Sequence, residues 1–265
     1  MILLTFGLVN VAVATRKIIA WEERPDNMAC SLLIVSDAHA MPLALEKVME
    51  MADSLCPISK RIFLGDAIGY GDDPVGVLEL LKKFDVRIIG NHEALVLGLE
   101  SRWKYNGRAA RIIDQHAELI GTEGNEFLAT FRRNYELSRM LFFHGMPASS
   151  TEYPFNINDI DGLFKTYKEF DLFFGGHLHF PRLVACDKVT LEITFEDVGE
   201  HGSRHLLDLE HNRYFINCPS VRLGRLGYVL PGACLLTDTT NSQKVLEFVF
   251  LEEDWQQQTQ SMEKS

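Results

Sequence analysis

The sequence lacks the excess of basic residues that a nucleic-acid-binding surface needs. Lysine and arginine together number 26, against 37 aspartates and glutamates, so the 265-residue chain has a formal net charge of −11. Nucleic-acid-binding domains usually present a basic face, and anionic membranes also attract basic segments. We therefore expect neither a nucleic-acid nor a membrane partner. A small anionic substrate remains compatible with this charge, because a bound metal supplies positive charge locally.

Cysteine is scarce, and no two cysteines form a C-x-x-C motif. The five cysteines are Cys30, Cys56, Cys186, Cys218 and Cys234. An odd, scattered set is typical of reduced thiols in a cytoplasmic protein rather than of a disulfide framework. We therefore expect a cytoplasmic location and structural roles for these thiols.

The N-terminus has no apolar run of membrane-spanning length. Residues 1–14, MILLTFGLVNVAVA, are mostly apolar, whereas a bilayer crossing takes about 20 residues. Ala12-x-Ala14 resembles a signal-peptide cleavage site, but no positively charged residue precedes the apolar run. Met28 lies just before a strand-like segment. We interpret residues 1–27 as an extension, and a signal peptide is the less favoured alternative.

From residue 30 onwards, apolar strand-like runs alternate with helical patterns. Strands are predicted at 32–36, 61–66, 86–92, 139–145 and 171–177, and helices at 41–55, from 74 (with Asp73 as N-cap), near 109–120 and near 158–169. After Pro181, short runs separated by turns predict a mostly antiparallel β region. No repeat or linker interrupts the chain, so we predict one domain over residues 28–252, followed by a polar tail at 253–265.

Each predicted core strand ends in a polar cluster. In open α/β sheets, ligands bind beyond the carboxyl ends of the strands, so these clusters are candidates for one shared site. They supply seven nitrogen or oxygen donors and no thiolate: Asp37, His39, Asp66, Asn91, His144, His177 and His179. Such a set suits manganese, iron, cobalt or zinc. Taken alone, the His177-x-His179 pair favours a packed strand face over a metal site, because alternate residues of a strand share one side.

Five segments of the chain, in order, resemble the motifs of one family. SDAHA, LGDAIGYG, GNHE, FFHG and GGHLH are similar to the D-x-H, G-D-x-x-x-x-G, G-N-H-[DE], H-G and G-H-x-H motifs of the calcineurin-like metallophosphoesterases. The resemblance extends from about residue 32 to the end of the β region, and is greatest to the compact prokaryotic-type branch. It implies an α/β fold, a four-layer α/β/β/α sandwich of two mixed sheets with flanking helices.

The resemblance also implies roles for the candidate residues. One divalent transition-metal ion would be held by Asp37, His39 and His179. A second would be held by Asn91, His144 and His177. Asp66 would bridge the two ions, and a hydroxide between them would attack phosphorus. The catalytic residues would be His92, Asn91 and Asp66, and His92 would lie beside the leaving-group oxygen. Manganese is the metal we favour, with iron, zinc, cobalt and nickel as alternatives.

Two positions differ from the phosphoprotein phosphatases of this superfamily. Their second motif reads G-D-x-x-D-R-G, whereas here Gly69 and Tyr70 occupy the Asp and Arg positions. We therefore expect a small phosphoester substrate, a phosphodiester or nucleotide rather than a phosphoprotein. Two alternatives stay open, a phosphoprotein phosphatase and a non-catalytic protein-binding scaffold on the same fold. Arg222 and Arg225 are candidates either for binding the substrate phosphate or for forming surface ion pairs. The oligomeric state is not predicted.

Overall fold

The computed structural model describes residues 31–154, 156–199, 202–222, 230–239 and 243–251. The predicted extension at 1–27, the predicted tail at 253–265 and Arg225 lie outside these residues. The four cysteines that are described are free and buried. Among the described helices, none combines the length and the apolar composition that crossing a bilayer requires.

The described residues form strands and helices in close alternation before residue 181. The strands are β1 (Ser31–Val35), β2 (Ile58–Phe63), β3 (Val86–Arg87), β4 (Tyr135–Leu137), β5 (Met140–Phe142), β6 (Leu172–Gly175), β7 (Arg182–Asp187), β8 (Ile193–Glu196), β9 (Ser203–Leu207), β10 (Asn212–Asn217), β11 (Gly232–Asp238) and β12 (Lys244–Phe250). The helices are α1 (Pro42–Leu55), α2 (Pro74–Leu81), α3 (Asn91–Val96), α4 (Gly107–Leu128) and α5 (Ile157–Thr166), with a short 3₁₀ turn at Arg102–Lys104.

The strands form two six-stranded mixed sheets. Their orders are β3-β2-β1-β11-β12-β9 and β4-β5-β6-β10-β7-β8. The region after Pro181 is mostly antiparallel, as predicted, but β10 pairs in parallel with β6. This region does not form a separate unit, because its strands complete both sheets.

Side chains that alternate along the strands divide the core into layers. In β1, Leu33 and Val35 pack against α1, α2 and α4, whereas Ile34 points towards the other sheet. In β6, Phe173 packs against α5 and Phe174 lies between the sheets. The result is helices, sheet, sheet, helix. The four-layer α/β/β/α sandwich implied by the family resemblance is confirmed.

All five predicted core strands end earlier than expected, and the residues beyond their ends carry the polar clusters. The predicted strand 86–92 is strand only at β3, and Asn91 begins α3, because the Glu93 carboxylate accepts the Gly90 N–H at 2.8 Å and turns the chain into a helix. The predicted strand 61–66 ends with β2 at Phe63, before Gly65 takes a φ of 105°. The remaining clusters follow β1, β5 and β6 as loops.

Candidate metal centre

The structure brings the seven candidate ligands together at one edge of the two sheets. They come from the loops after β1, β2, β5 and β6 and from the first turn of α3. All seven are buried, and the most exposed, Asn91, has 7% of its surface accessible. Donor atoms of Asp37, His39, Asp66 and His179 lie within 4.8 Å of one another, and so do those of Asp66, His144 and His177. Asp66 belongs to both groups.

The first group is closely packed around two imidazole nitrogens. His39 Nε2 lies 3.0 Å from His179 Nε2. Asp37 Oδ1 is 3.3 Å from the same His179 nitrogen, and Asp66 Oδ2 is 3.7 Å from His39 Nε2. These are the four residues for which the family resemblance implies one ion and its bridge.

The second group is centred on His144. Its Nε2 lies 3.1 Å from His177 Nδ1 and 3.1 Å from Asn91 Oδ1. Asp66 Oδ2 is 3.4 Å away from it. The carboxylate oxygen that contacts His39 therefore also contacts His144, so one atom of Asp66 stands between the two groups.

The protonation pattern of the histidines fits cation binding. His39 Nδ1 is 3.1 Å from the Ile68 carbonyl, and His144 Nδ1 is 2.8 Å from the Leu64 carbonyl. A carbonyl only accepts hydrogen bonds, so each Nδ1 carries a proton, and a neutral ring would then turn an Nε2 lone pair towards the group, as a metal ligand must. Among the described residues, Asp37 Oδ1 is a buried oxygen that accepts no hydrogen bond. Lone pairs this close repel one another unless a positive charge lies between them.

Electrostatics point the same way. Burial alone would raise the pKa of Asp66, but His144 and His92 outweigh it and hold that pKa well below its usual range. Burial lowers the pKa of His144, yet the Asp66 and Asp37 carboxylates overcome it and the net shift is upward. The field at His144 Nε2 is therefore strongly negative, and a divalent cation is stabilised there.

The loops that carry the ligands have an unusual backbone conformation. Left-handed φ values are costly for residues other than glycine, at about 1–3 kcal/mol each, and such strain is found where function requires it. Five of the seven candidates have them: Asp37 (55°), His39 (45°), Asp66 (59°), His177 (69°) and His179 (62°).

Glu93 is a site residue to which sequence reasoning gave no role. It is fully buried, and Oε2 accepts the N–H groups of Asp66 and Gly90 at 2.8 Å. Oε1 accepts those of Ala67 at 2.8 Å and Ile68 at 3.3 Å. Burial, assisted by nearby Asp66, raises the pKa of Glu93 to about 7. This carboxylate holds the loop of the shared ligand in place. Its only signal in the sequence is the last letter of GNHE.

A second support comes from α4. His116 is buried on this helix, and its Nδ1 accepts the Gly69 N–H at 2.9 Å. The same loop presents the Ile68 carbonyl, which accepts from both His39 and His92. Gly69 has a φ of 89°, and a Cβ there would lie 2.0 Å from His92 Nδ1. Only glycine fits this position.

His92 lies beside the two groups rather than in either of them. Its N–H donates to Asp66 Oδ1 at 3.0 Å, and its Nδ1 lies 2.8 Å from the Ile68 carbonyl, which orients the ring. Its Nε2 is 3.8 Å from Asp66 Oδ2. An open cleft of about 420 Å³ runs over these residues, lined by Asp66, Tyr70, Asn91, His92, Lys104, Tyr105, Asn106, Ala109, Thr151, Glu152, Tyr153 and His177.

Asp37 is supported from the β10–β11 connection. The Ser220 hydroxyl donates to the Asp37 carbonyl at 2.9 Å, and the Arg222 N–H donates to the same oxygen at 3.2 Å. No pattern in the sequence places this segment next to the first ligand.

Comparison with known proteins identifies the family. The model of the family described as calcineurin-like phosphoesterase matches residues 31–181, more than half of the chain. The chain is 28% identical over 213 residues to an uncharacterized protein of Methanocaldococcus jannaschii, covering 78% of this chain and 82% of that one. In fold it is similar to a metallophosphoesterase from Sphaerobacter thermophilus, with a TM-score of 0.66, 24% identity, and coverage of 89% of this chain and 97% of that one. It is also similar to a hypothetical protein from Pyrococcus horikoshii OT3, with a TM-score of 0.60, 15% identity, and coverage of 89% and 94%. The chain belongs to the calcineurin-like phosphoesterase family.

Proposed function

We propose that the protein is a phosphoester hydrolase that works with two divalent transition-metal ions. The observation that carries the proposal is the pair of buried donor groups that share Asp66. Asp37, His39 and His179 would hold one ion, and Asn91, His144 and His177 the other. Bound ions at these positions supply Lewis-acid polarisation and positive charge to a phosphoryl group. The nitrogen and oxygen donors favour manganese, with iron, zinc, cobalt and nickel as alternatives.

His92 is the residue that we propose to assist the leaving group. It is buried, it lies against Asp66, and it lines the open cleft. Nδ1 contacts the Ile68 carbonyl, and Nε2 lies on the side of Asp66 and the candidate centre. In its protonated form, Nε2 is then the atom that donates to the departing oxygen.

The cleft favours a small organic phosphoester as substrate. Its volume of about 420 Å³ is within the range of small-molecule sites. Three tyrosines line it, Tyr70, Tyr105 and Tyr153, and the last stacks on His177 with ring centroids 3.8 Å apart. Aromatic walls suit the flat organic group of an aryl ester or a nucleotide. We therefore propose phosphodiesters or nucleotides as the substrate class.

A substrate panel with metal analysis tests the proposal. Manganese-loaded protein would be assayed on an aryl phosphodiester, an aryl monophosphate, cyclic nucleotides, a dinucleoside polyphosphate and a phosphopeptide. We expect up to two bound ions per chain and turnover of the diester or nucleotide substrates that disappears in Asp66→Asn. Absence of metal binding in excess manganese contradicts the proposal, and a strong preference for the phosphopeptide contradicts its substrate class.

A further inference from the structure

Tyr70 stands at the mouth of the candidate centre in a strained conformation. Its φ is 66°, and 37% of its surface is exposed. Its ring lies 4.8 Å from the ring of His39 and 5.1 Å from that of His92. A left-handed backbone is unfavourable for a bulky residue, so the loop places this ring at the cleft wall at a cost in stability.

Arg222 lies over that ring. Its guanidinium carbon is 4.9 Å from the centroid of Tyr70. Its own backbone N–H donates to the Asp37 carbonyl at 3.2 Å and to the Ser220 hydroxyl at 3.0 Å. Main chain and side chain are thus fixed independently, the first against a candidate ligand and the second against an aromatic ring that touches His39 and His92.

A positively charged side chain beside the candidate centre stands out in so acidic a protein. The chain is acidic overall, with a net charge of −11. The single lysine in the lining of the cleft, Lys104, is 2.7 Å from the Glu100 carboxylate and bonds Thr151 at 3.0 Å. Its charge is therefore offset by a carboxylate. The Arg222 guanidinium group is a planar fork that matches phosphate oxygens and retains its charge when stacked on an aromatic ring.

We propose that Arg222, held over Tyr70, binds the anionic oxygens of the phosphoester at the mouth of the centre. The inference rests on the proposed function and names a residue that determines substrate affinity. The sequence has Tyr70 where the phosphoprotein phosphatases have the arginine of G-D-x-x-D-R-G. In this fold, an arginine reaches the face of that tyrosine from the β10–β11 connection instead.

The experiment compares wild type, Arg222→Met and Arg222→Lys in the manganese-loaded protein. Inorganic phosphate is the probe, its affinity is measured by calorimetry, and kcat and KM are measured on an aryl phosphodiester. A hydrogen bond to a charged group contributes about 1.5 kcal/mol or more, which corresponds to roughly tenfold in affinity. We expect Arg222→Met to weaken phosphate binding and raise KM by about that factor, with Arg222→Lys between the two and the manganese content unchanged.

Arg132→Met is the matched control. That exposed arginine also lies over a tyrosine, 5.9 Å from the Tyr135 ring, but at the outer edge of a sheet. It should leave phosphate affinity and KM at wild-type values. If Arg222→Met behaves like this control in an active enzyme, the inference is wrong, and it is also wrong if the variant loses manganese. A wild type that binds neither manganese nor phosphate and turns over no substrate overturns the proposed function, and this inference with it.

Discussion

Replacing Glu93 with glutamine tests whether the loop of Asp66 is held in place by one carboxylate. The substitution retains the size of the side chain and changes one oxygen into an NH₂ group. The carboxylate accepts four backbone N–H groups, two on each oxygen. Glutamine has one acceptor oxygen, so two of those donors face another donor inside the protein.

The expected loss follows from that count. A buried donor without an acceptor costs about 1–3 kcal/mol, so two cost about 2–6 kcal/mol. For a domain of this size, each kcal/mol lowers Tm by roughly 2–4 °C. Asp66 has a strained φ of 59°, which these hydrogen bonds help to maintain. Their loss should therefore also shift the Asp66 side chain, the candidate ligand that both groups share. Residues that orient metal ligands typically contribute about 10–100-fold to metal affinity.

The assay is manganese affinity by calorimetry at about pH 8, above the Glu93 pKa of about 7. We expect Glu93→Gln to bind manganese about 10–100-fold more weakly. Glu247→Gln is the control, because Glu247 is also buried, on β12, 3.7 Å from Arg204, and it lies outside the cleft lining. It should be destabilised but retain wild-type manganese affinity. Wild-type affinity in folded Glu93→Gln, or an equal loss in Glu247→Gln, refutes the reasoning.

Three further outcomes are expected. His177→Ala and His179→Ala should each lower the manganese content. His92→Ala should retain the metal and lose roughly 10²–10⁴-fold in rate, with a larger loss on alkyl esters than on nitrophenyl esters. Loss of metal from His92→Ala contradicts the proposed role of this residue. Gly69→Ala should push the His92 ring away, since the new Cβ would lie 2.0 Å from Nδ1, and kcat should fall with manganese retained; an unchanged kcat contradicts this. Burial lowers the pKa of His205 to about 4. Between about pH 6.5 and pH 4 this histidine is therefore protonated in the unfolded chain and neutral in the folded one, so the free energy of unfolding decreases as pH drops through that range. Urea unfolding should show about 2 kcal/mol of extra loss between about pH 7.5 and pH 5, absent from His205→Gln.

The sequence was informative where polar residues directly follow an apolar strand. Asp37 and Asp66 follow β1 and β2, and the rule that ligands bind beyond the carboxyl ends of strands in open α/β sheets places them at one edge, as the parallel pairing of these strands shows. The residues that hold the ligand loops in place could not be predicted in this way. Glu93 and His116 accept hydrogen bonds from backbone N–H groups of a loop that is distant in sequence. The Ser220 hydroxyl donates to a carbonyl 183 residues away. No local pattern marks such partners, because backbone donors are the same at every residue.

The pair His177-x-His179 shows why spacing alone does not assign ligands. On an extended strand, residues two apart share a face, and both histidines would then serve one ion or pack together. Here β6 ends at Gly175, and both histidines have left-handed φ values, 69° and 62°. His177 therefore joins His144 and Asp66, and His179 joins Asp37 and His39. The motif Asp37-x-His39 has the same left-handed backbone, at 55° and 45°, yet its two residues serve one group. Spacing and backbone conformation are thus alike in the two motifs, so the group that each side chain reaches depends on where its turn lies relative to the other loops.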